Sequence, residues 1–428
     1  MIALYVSALL AVLLFLGTPI AFALAISGVV GLFWIGDINA VLGVLSSVPR
    51  ESAIVYEFMT IPMFLLMAEF VLRSGIGEDL FKSAAVWAGK IPGGLGIATA
   101  ISGAGFGAIC GSSTAAAATL SSTSLSVMRA RGYEPNVAAG VVAISGTLAM
   151  LIPPSIAMIL YGLLTGVSIA KLLVAGVIPG LLVTFTIVLT VYGIAKIYPH
   201  LVPSGERSTL NEKLRSLKPV WPMLVLLSAV TISIYAGIAT PTEASAVGAL
   251  CAGLLYLWKE KPPRSELYSV IARAIRTSCM LAFVLMAAHI FSTFFTYTQT
   301  TQGLIEWVGG LAVEGWVIIL ALVLLYIILG CFLDQAAILV LTIPIVAPLV
   351  ESLGFDLIWF GVIVIVTAEL GLVTPPLGLN CFVVSKYSGM PVTEVFKGVL
   401  PHVLTHVVAI GILLLFPVIT LWLPNQMP

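Results

Sequence analysis

The sequence predicts an all-α polytopic membrane protein built as an inverted repeat, with two re-entrant hairpins and two discontinuous helices. Three observations carry this fold class. The first is composition: of 428 residues, 60% are hydrophobic and 9% charged, with a mean hydropathy of +1.15, whereas soluble domains carry about 25% charged residues. The second is a pair of interrupted hydrophobic stretches, 147–155 and 369–378, each holding two consecutive prolines, Pro153-Pro154 and Pro375-Pro376. Proline lacks the backbone donor and clashes with the preceding turn, and the residue before it is pushed out of the α region. Both helices must therefore break, and matched breaks in two halves mark the binding region of a transporter. The third is register. At an offset of 222 residues, the interval from Pro153 to Pro375, Gly132 falls on Gly354, Leu148 on Leu370, Gly176-Val177 on Gly398-Val399 and Pro179 on Pro401, without a gap. Glycines and prolines held in one register define an internal repeat.

In chain order, apolar segments occupy 2–35, 53–72, 93–110, 114–128, 135–165, 171–195, 220–238, 241–258, 268–298, 315–333, 336–350, 355–388 and 393–423. The first has no positive n-region and is too long for a signal peptide, so it reads as a retained membrane segment, bent at Gly17-Thr18-Pro19. Segments 93–110 and 114–128 meet at the small, polar tip 107–114, and 315–333 and 336–350 meet at 330–335, which contains Asp334. Neither join is long or polar enough for the far aqueous face of a roughly 30 Å core. Re-entrant hairpins are predicted, buried in protein or lining a cavity; tight-turned helix pairs are the alternative. Two polar linkers, 198–218 (with Arg207, Lys213, Arg215 and Lys218) and 259–266 (with Lys261 and Arg264), flank a membrane hairpin that turns at Thr240-Pro241-Thr242. Both linkers therefore share one side, the cytoplasm by the basic-loop rule. Threading outward from them makes the second broken helix run opposite to the first. Arg73, Lys82, Lys90, Arg129, Arg131, Lys386 and Lys397 then land inside, and only Arg50 and Lys171 outside. The repeat is inverted. The balance of 19 basic and 19 acidic residues leaves no basic tract for nucleic acid. The five cysteines, without CxxC spacing, read as small buried residues.

A hairpin tip exposes backbone N–H groups at the start of its second arm, which suit a carboxylate. It also exposes carbonyls at the end of its first arm, which suit a cation. The proline breaks divide in the same way. The hydroxyls of Ser112, Ser113, Thr114, Ser145 and Thr374 and the amide of Asn380 add oxygen ligands, and sodium needs only such hard oxygens. A carboxylate at mid-bilayer costs about 2.5–3.5 kcal/mol on the mildest scale. Asp334 therefore reads as a sodium ligand, direct or through an intervening group, or as the cap of its tip; its repeat counterpart is Ser112. Glu369 reads as a structural hydrogen-bonding group. The stretch 103–107 lacks the spacing of a dinucleotide loop, and His402 and His406, four apart, lack the further ligands of a zinc site. Without a Walker loop, GxSxG or HExxH, the chain carries no motif for ATP hydrolysis or acyl transfer.

The stretches GAICGSSTAAAATL, RARGYEP, SGTLAMLIPPSIAMILYG, ATPTEASAVGA, GCFLDQAAILVLTIP and ELGLVTPPLGLNCFVVS, with the closing LWLP, resemble the large membrane subunit (M, DctM-like) of the tripartite ATP-independent periplasmic (TRAP) transporters over nearly the whole chain. The resemblance implies a multi-pass protein of the bacterial inner membrane and not an enzyme. Its implied partners are a small membrane subunit (Q type) and a periplasmic substrate-binding protein (P type). It implies sodium-driven uptake of an organic acid such as a C4-dicarboxylate, keto acid or sialic acid, with no organic cofactor, by an elevator motion of hairpins and broken helices against a scaffold. The implied division is 1–90, N-terminal scaffold helices and arm; 91–166, first transport repeat; 167–314, scaffold, linkers and arm; 315–389, second transport repeat; and 390–428, C-terminal scaffold helix.

By position, the resemblance implies one sodium site at Gly111, Ser112, Ser145, Gly146 and Thr147. A second would lie at Asp334, Gly371, Thr374 and Pro375, with the substrate carboxylate near Ser113, Thr114, Ser155 and Asn380. Where the family often has Gly-Pro this chain has Ala149-Met150, so the first break is expected to unwind less or start later; Cys110 stands where serine is frequent. The alternatives are a single-component sodium–carboxylate carrier and a membrane-embedded enzyme using Asp334 or the histidine pair.

Overall fold

The computed structural model describes residues 2–36, 38–203, 205, 208–311 and 313–427, and every regular element among them is helical. Arg207 of the first linker lies outside the described residues. The opening segment is two helices, Ile2–Phe15 and Ile20–Ile35. They fold back on one another, so that the rings of Tyr5 and Trp34 stack at 5.9 Å. The expected bend is thus a full reversal. Gly17 takes a left-handed φ of +77°, and Pro19 has no N–H to continue the first helix.

The first hairpin pairs Gly94–Cys110 with Ser113–Leu120. The second arm continues through a π-helical turn, Ser121–Leu125, into Ser126–Ala130. Its broken helix runs Pro135–Thr147, a 3-10 turn Leu148–Met150, an irregular stretch 151–155, and Ile156–Thr165. The second hairpin pairs Gly315–Phe332 with Gln335–Ser352. The second broken helix runs Leu357–Gly371, an irregular 372–378, and Leu379–Ser388. Ahead of the broken helices Gly132 and Gly354 take φ of +82° and +81°, a left-handed turn that glycine enters without penalty. The helices then start at Pro135 and Leu357, again in the repeat register.

The two broken helices are antiparallel. Tyr161 Oη, late in the first, donates to the carbonyl of Leu357 at the start of the second (2.7 Å). Arg129 Nη1, just before the first, donates to the carbonyl of Ser388 at the end of the second (3.2 Å). The repeats also interlock. The closing helix of the second, Val392–Leu415, packs on Pro135–Thr147, and Ile169–Ala175 of the first packs on Leu357–Gly371. Small residues permit this approach: a methyl group on Gly140 would meet the carbonyl of Gly398, and one on Gly398 the carbonyl of Asn136.

Around this block stand Thr60–Arg73, Val177–Ile197, Trp221–Tyr235, Pro241–Glu260 and Arg264–Tyr297. The last, with 34 residues, is about 51 Å long at 1.5 Å per residue. Polar ties among them and to the helix Ile76–Ala88 join residues that the threading puts on the same side: Thr60 with Thr242 (2.8 Å), Arg273 with Glu69 (3.0 Å) and Lys259 with Asp79 (2.5 Å). Cys110, Cys331 and Cys381 are buried, but Cys251 and Cys279 are exposed. The expectation of five buried cysteines fails for these two because they sit on the outward faces of peripheral helices.

Candidate functional site

Each hairpin tip packs against the break of its own repeat, and each tip is closed by a side-chain cap. Ser112 accepts from the Ala115 N–H (3.4 Å) and pairs with Thr114 Oγ1 (3.3 Å). Asp334 Oδ1 accepts from the Ala337 N–H at 2.8 Å. Ala115 and Ala337 are themselves repeat counterparts, so the same cap is built twice, once neutral and once charged. Ser112 and Asp334 sit in extended backbone, the conformation an N-cap needs to turn its oxygen onto the first helical turn.

At the first junction, Gly107 lies against Ala149 and Gly146 against Ser113 and Ala117. Gly111 caps the first arm with a left-handed φ of +57°. The Ser145 hydroxyl is fully buried without a hydrogen-bond partner. Thr147 Oγ1 donates back to the Ile144 carbonyl (2.7 Å). Ser155 caps Ile156–Thr165, accepting from the Met158 N–H (3.3 Å) and donating to the carbonyl of Met150. Ala149 and Met150 continue the helix as a 3-10 turn, so the chain leaves the helical path at Leu151. This is the later start that replacing Gly-Pro by Ala-Met leads one to expect.

At the second junction, Gly330 lies against Gly371, and the Gly378 N–H donates to the Cys331 carbonyl (3.2 Å), tying break to tip. Thr374 N–H donates to Gly371 O (2.9 Å) and Thr374 Oγ1 to Leu370 O (2.7 Å). Pro375, Pro376 and Leu377 are exposed.

Four helices begin at these junctions: Ser113–Leu120, Ile156–Thr165, Gln335–Ser352 and Leu379–Ser388. They pack in two pairs, the first with the last and the second with the third. Four others end there: Gly94–Cys110, the helix closing at Met150, Gly315–Phe332 and Leu357–Gly371. Helix starts favour anions and helix ends favour cations, so both signs of ligand are served in one place. Ser113 and Asn380, at the first turns of a packed pair, are buried at 2% and 0% exposure. Neither end of the Asn380 amide has a partner.

Sequence reasoning passes over Gln335, whose Nε2 donates to Ile365 O (3.4 Å) while its Oε1 is buried without a partner. The signal was available, since Gln335 follows its cap as Ser113 follows Ser112. Glu369, read as a structural hydrogen-bonding group, has no partner on either oxygen; the Ser113 hydroxyl lies beside it. His402 and His406 are buried on one helix face, and among the described residues no group of three or more His, Cys, Asp or Glu converges.

Residues 7–419 match the family model of the tripartite ATP-independent periplasmic transporter, DctM component. The C4-dicarboxylate TRAP transporter large permease protein DctM of Pseudomonas aeruginosa is 35% identical over 371 residues, covering 86% of each chain. The ectoine TRAP transporter large permease protein TeaC of Halomonas elongata is 30% identical, covering 96% of each chain. The sialic acid TRAP transporter large permease protein SiaM of Vibrio cholerae is 29% identical, covering 86% of each. Among solved structures, the YdaH transporter of Alcanivorax borkumensis superposes with a TM-score of 0.65 at 13% identity, covering 89% of each chain. MtrF of Neisseria gonorrhoeae gives 0.60 at 13%, covering 89% of this chain and 85% of that one. These last two share the fold.

Proposed function

The chain belongs to the DctM component family of tripartite ATP-independent periplasmic transporters, and from that premise we propose that it is the large permease of a sodium-coupled uptake system for an organic acid. It is a multi-pass inner-membrane protein whose relatives are transporter permeases, not enzymes. The observation that carries the proposal is the doubled junction: a capped tip against a broken helix, built twice on antiparallel helices.

The donors at each junction suit sodium. They are hydroxyl, carbonyl and carboxylate oxygens, with the Ser145 hydroxyl buried and unpartnered and Asp334 supplying the one anionic group. In this reading Gly111, Ser112, Ser145, Gly146 and Thr147 hold one ion, and Asp334, Gly371, Thr374 and Pro375 the other. The bound ions supply positive charge beside the substrate, whose carboxylate lies at the helix starts near Ser113, Thr114, Ser155 and Asn380. In this reading the hairpins are re-entrant, which the packing of their tips on the breaks supports. Segments 91–166 and 315–389 move as one block against a scaffold formed by 1–90, 167–314 and 390–428. The periplasmic binding protein delivers substrate, and the small membrane subunit completes the scaffold.

The test is reconstitution in liposomes with the small subunit and binding protein, scanning C4-dicarboxylates, keto acids, sialic acid and ectoine. Uptake is expected only under an inward sodium gradient and only with the binding protein. Uptake without sodium overturns the coupling, and uptake by this chain alone overturns the tripartite requirement.

A further inference from the structure

Glu369 is a buried carboxyl that the described residues leave unsatisfied. It is 1% exposed, and neither carboxylate oxygen accepts a hydrogen bond from the protein. Buried carboxylates persist when a cation or donors satisfy them. Three oxygen-bearing residues are tied to this stretch of helix or lie beside the carboxyl. Gln335 reaches the carbonyl of Ile365, one turn before Glu369, and keeps a free Oε1. Asn380 is tied by its backbone N–H to the carbonyl of Leu372, three residues beyond (3.0 Å), and its amide has no partner at either end. The Ser113 hydroxyl lies beside the carboxyl itself. The carbonyls of Ile365 and Leu372 lie about 10 Å apart along the helix at 1.5 Å per residue, with Glu369 between them, so Gln335 and Asn380 approach it from opposite ends.

We infer that Glu369 anchors a monovalent-cation site additional to the two ions proposed at the tip–break junctions and drawing a residue from each, with Ser113 Oγ, Asn380 Oδ1 and Gln335 Oε1 as neutral ligands. One carboxylate among neutral oxygens balances a single positive charge. It offers too few anionic groups for calcium and no soft donor for a transition metal. The arrangement also explains why Asn380 is unpartnered at both ends. With its carbonyl oxygen on the cation, its NH2 group is left as a donor facing the place where the substrate carboxylate is proposed to bind. One side chain would then touch both cargo and coupling ion, so that each favours the other. This last step rests on the substrate position given under the proposed function; the cation site itself does not.

The test therefore measures cation binding without substrate. The purified complex with its small subunit is titrated with sodium chloride against choline chloride, following melting temperature and equilibrium binding of radioactive sodium. The parent is expected to be stabilised by sodium. Glu369→Gln is expected to bind one ion fewer per complex and to need at least fivefold more sodium for half its stabilisation. Asn380→Ala should raise that midpoint two- to fivefold. Thr374→Ala marks the second junction and should shift the midpoint through a different ion. An unchanged stoichiometry and midpoint in Glu369→Gln, with Thr374→Ala shifted, overturns the Glu369 site and leaves the junction sites standing. No sodium effect in the parent overturns both. Should Glu369→Gln not fold, Glu369→Asp keeps the charge one methylene back, and an unshifted midpoint there overturns the inference equally.

Discussion

The two breaks answer the same sequence pattern differently. The first leaves the helical path for 151–155, and Pro153, Pro154 and Ser155 are all buried. The second is irregular over 372–378, with Pro375, Pro376 and Leu377 exposed. Sequence explains the length: Ala149 and Met150 sustain a 3-10 turn where the second copy has already turned away at Leu372. Tertiary packing explains the burial. Pro153 and Pro154 line a small cavity with Leu173, Val174 and the peripheral helix Trp221–Tyr235, whereas the described residues leave Pro375 exposed. The lesson is that a repeat fixes where the backbone must open, while the neighbours decide which opening is accessible.

The largest effect that would sharpen this contrast comes from the interlocking glycines. Gly398→Ala drives a methyl group into the carbonyl of Asn136, a backbone atom that cannot yield, and should cost about 3 kcal/mol or more. Its counterpart Gly176→Ala meets the flexible end of Met158 but also Leu151 O at 2.5 Å, so it should cost less. Fluorescence-detected size exclusion after heating ranks them, and equal losses would mean that the two interfaces are equally tight.

Next come the tip caps. Asp334→Ala removes a charged acceptor at 2.8 Å and Ser112→Ala a neutral one at 3.4 Å. Losses of about 1–2 and about 0.5 kcal/mol are expected, read as melting temperature. Asp334→Asn retains a capping oxygen, so a raised sodium requirement for uptake separates ion binding from capping. Smaller in energy but sharper in geometry is labelling. In a background without native cysteines, Leu377→Cys should react quickly with a membrane-permeant maleimide and Ser155→Cys slowly; equal rates would erase the difference in exposure. Smallest of all is the stability effect of Thr147→Ala and Thr374→Ala. Each hydroxyl only donates back to its own helix at 2.7 Å, so each should cost under about 1 kcal/mol, and a shift in sodium response would be their only distinct signature.

The repeat was legible because glycine and proline report backbone geometry directly. Gly132 and Gly354 were paired by register, and they share a left-handed φ to within a degree. Ser112 and Asp334 were paired the same way, and both cap. What stayed hidden depends on partners from distant segments. The fold-back of Ile2–Phe15 on Ile20–Ile35 is settled by tertiary packing, not by Pro19 alone. Glu369 reads from sequence as a structural hydrogen-bonding group; only the packed elements around it show that its oxygens are unmet. Cys251 and Cys279 lie within predicted apolar segments like the other three, and a membrane helix is apolar on both its lipid and its protein face, so hydropathy could not sort them.

The π-helical turn Ser121–Leu125 gives the first hairpin a mechanical character that the second lacks. Ser122 and Ser126 stand in the register of Pro344 and Pro348, so both second arms are disturbed at the same depth by opposite means. In the first, Ser121, Thr123 and Ser124 donate to the carbonyls of Ala117, Thr119 and Leu120 at 2.6, 2.9 and 2.7 Å. The hydroxyls travel with the helix and keep those carbonyls met as it flexes, as ordered water does elsewhere. In the second, Pro344 and Pro348 each lack the N–H that would meet the carbonyl one turn before. The first tip is therefore sprung and the second braced. A load passed between them would be taken up in the π-helical turn of the first hairpin, and the tip bearing Asp334 would keep its shape.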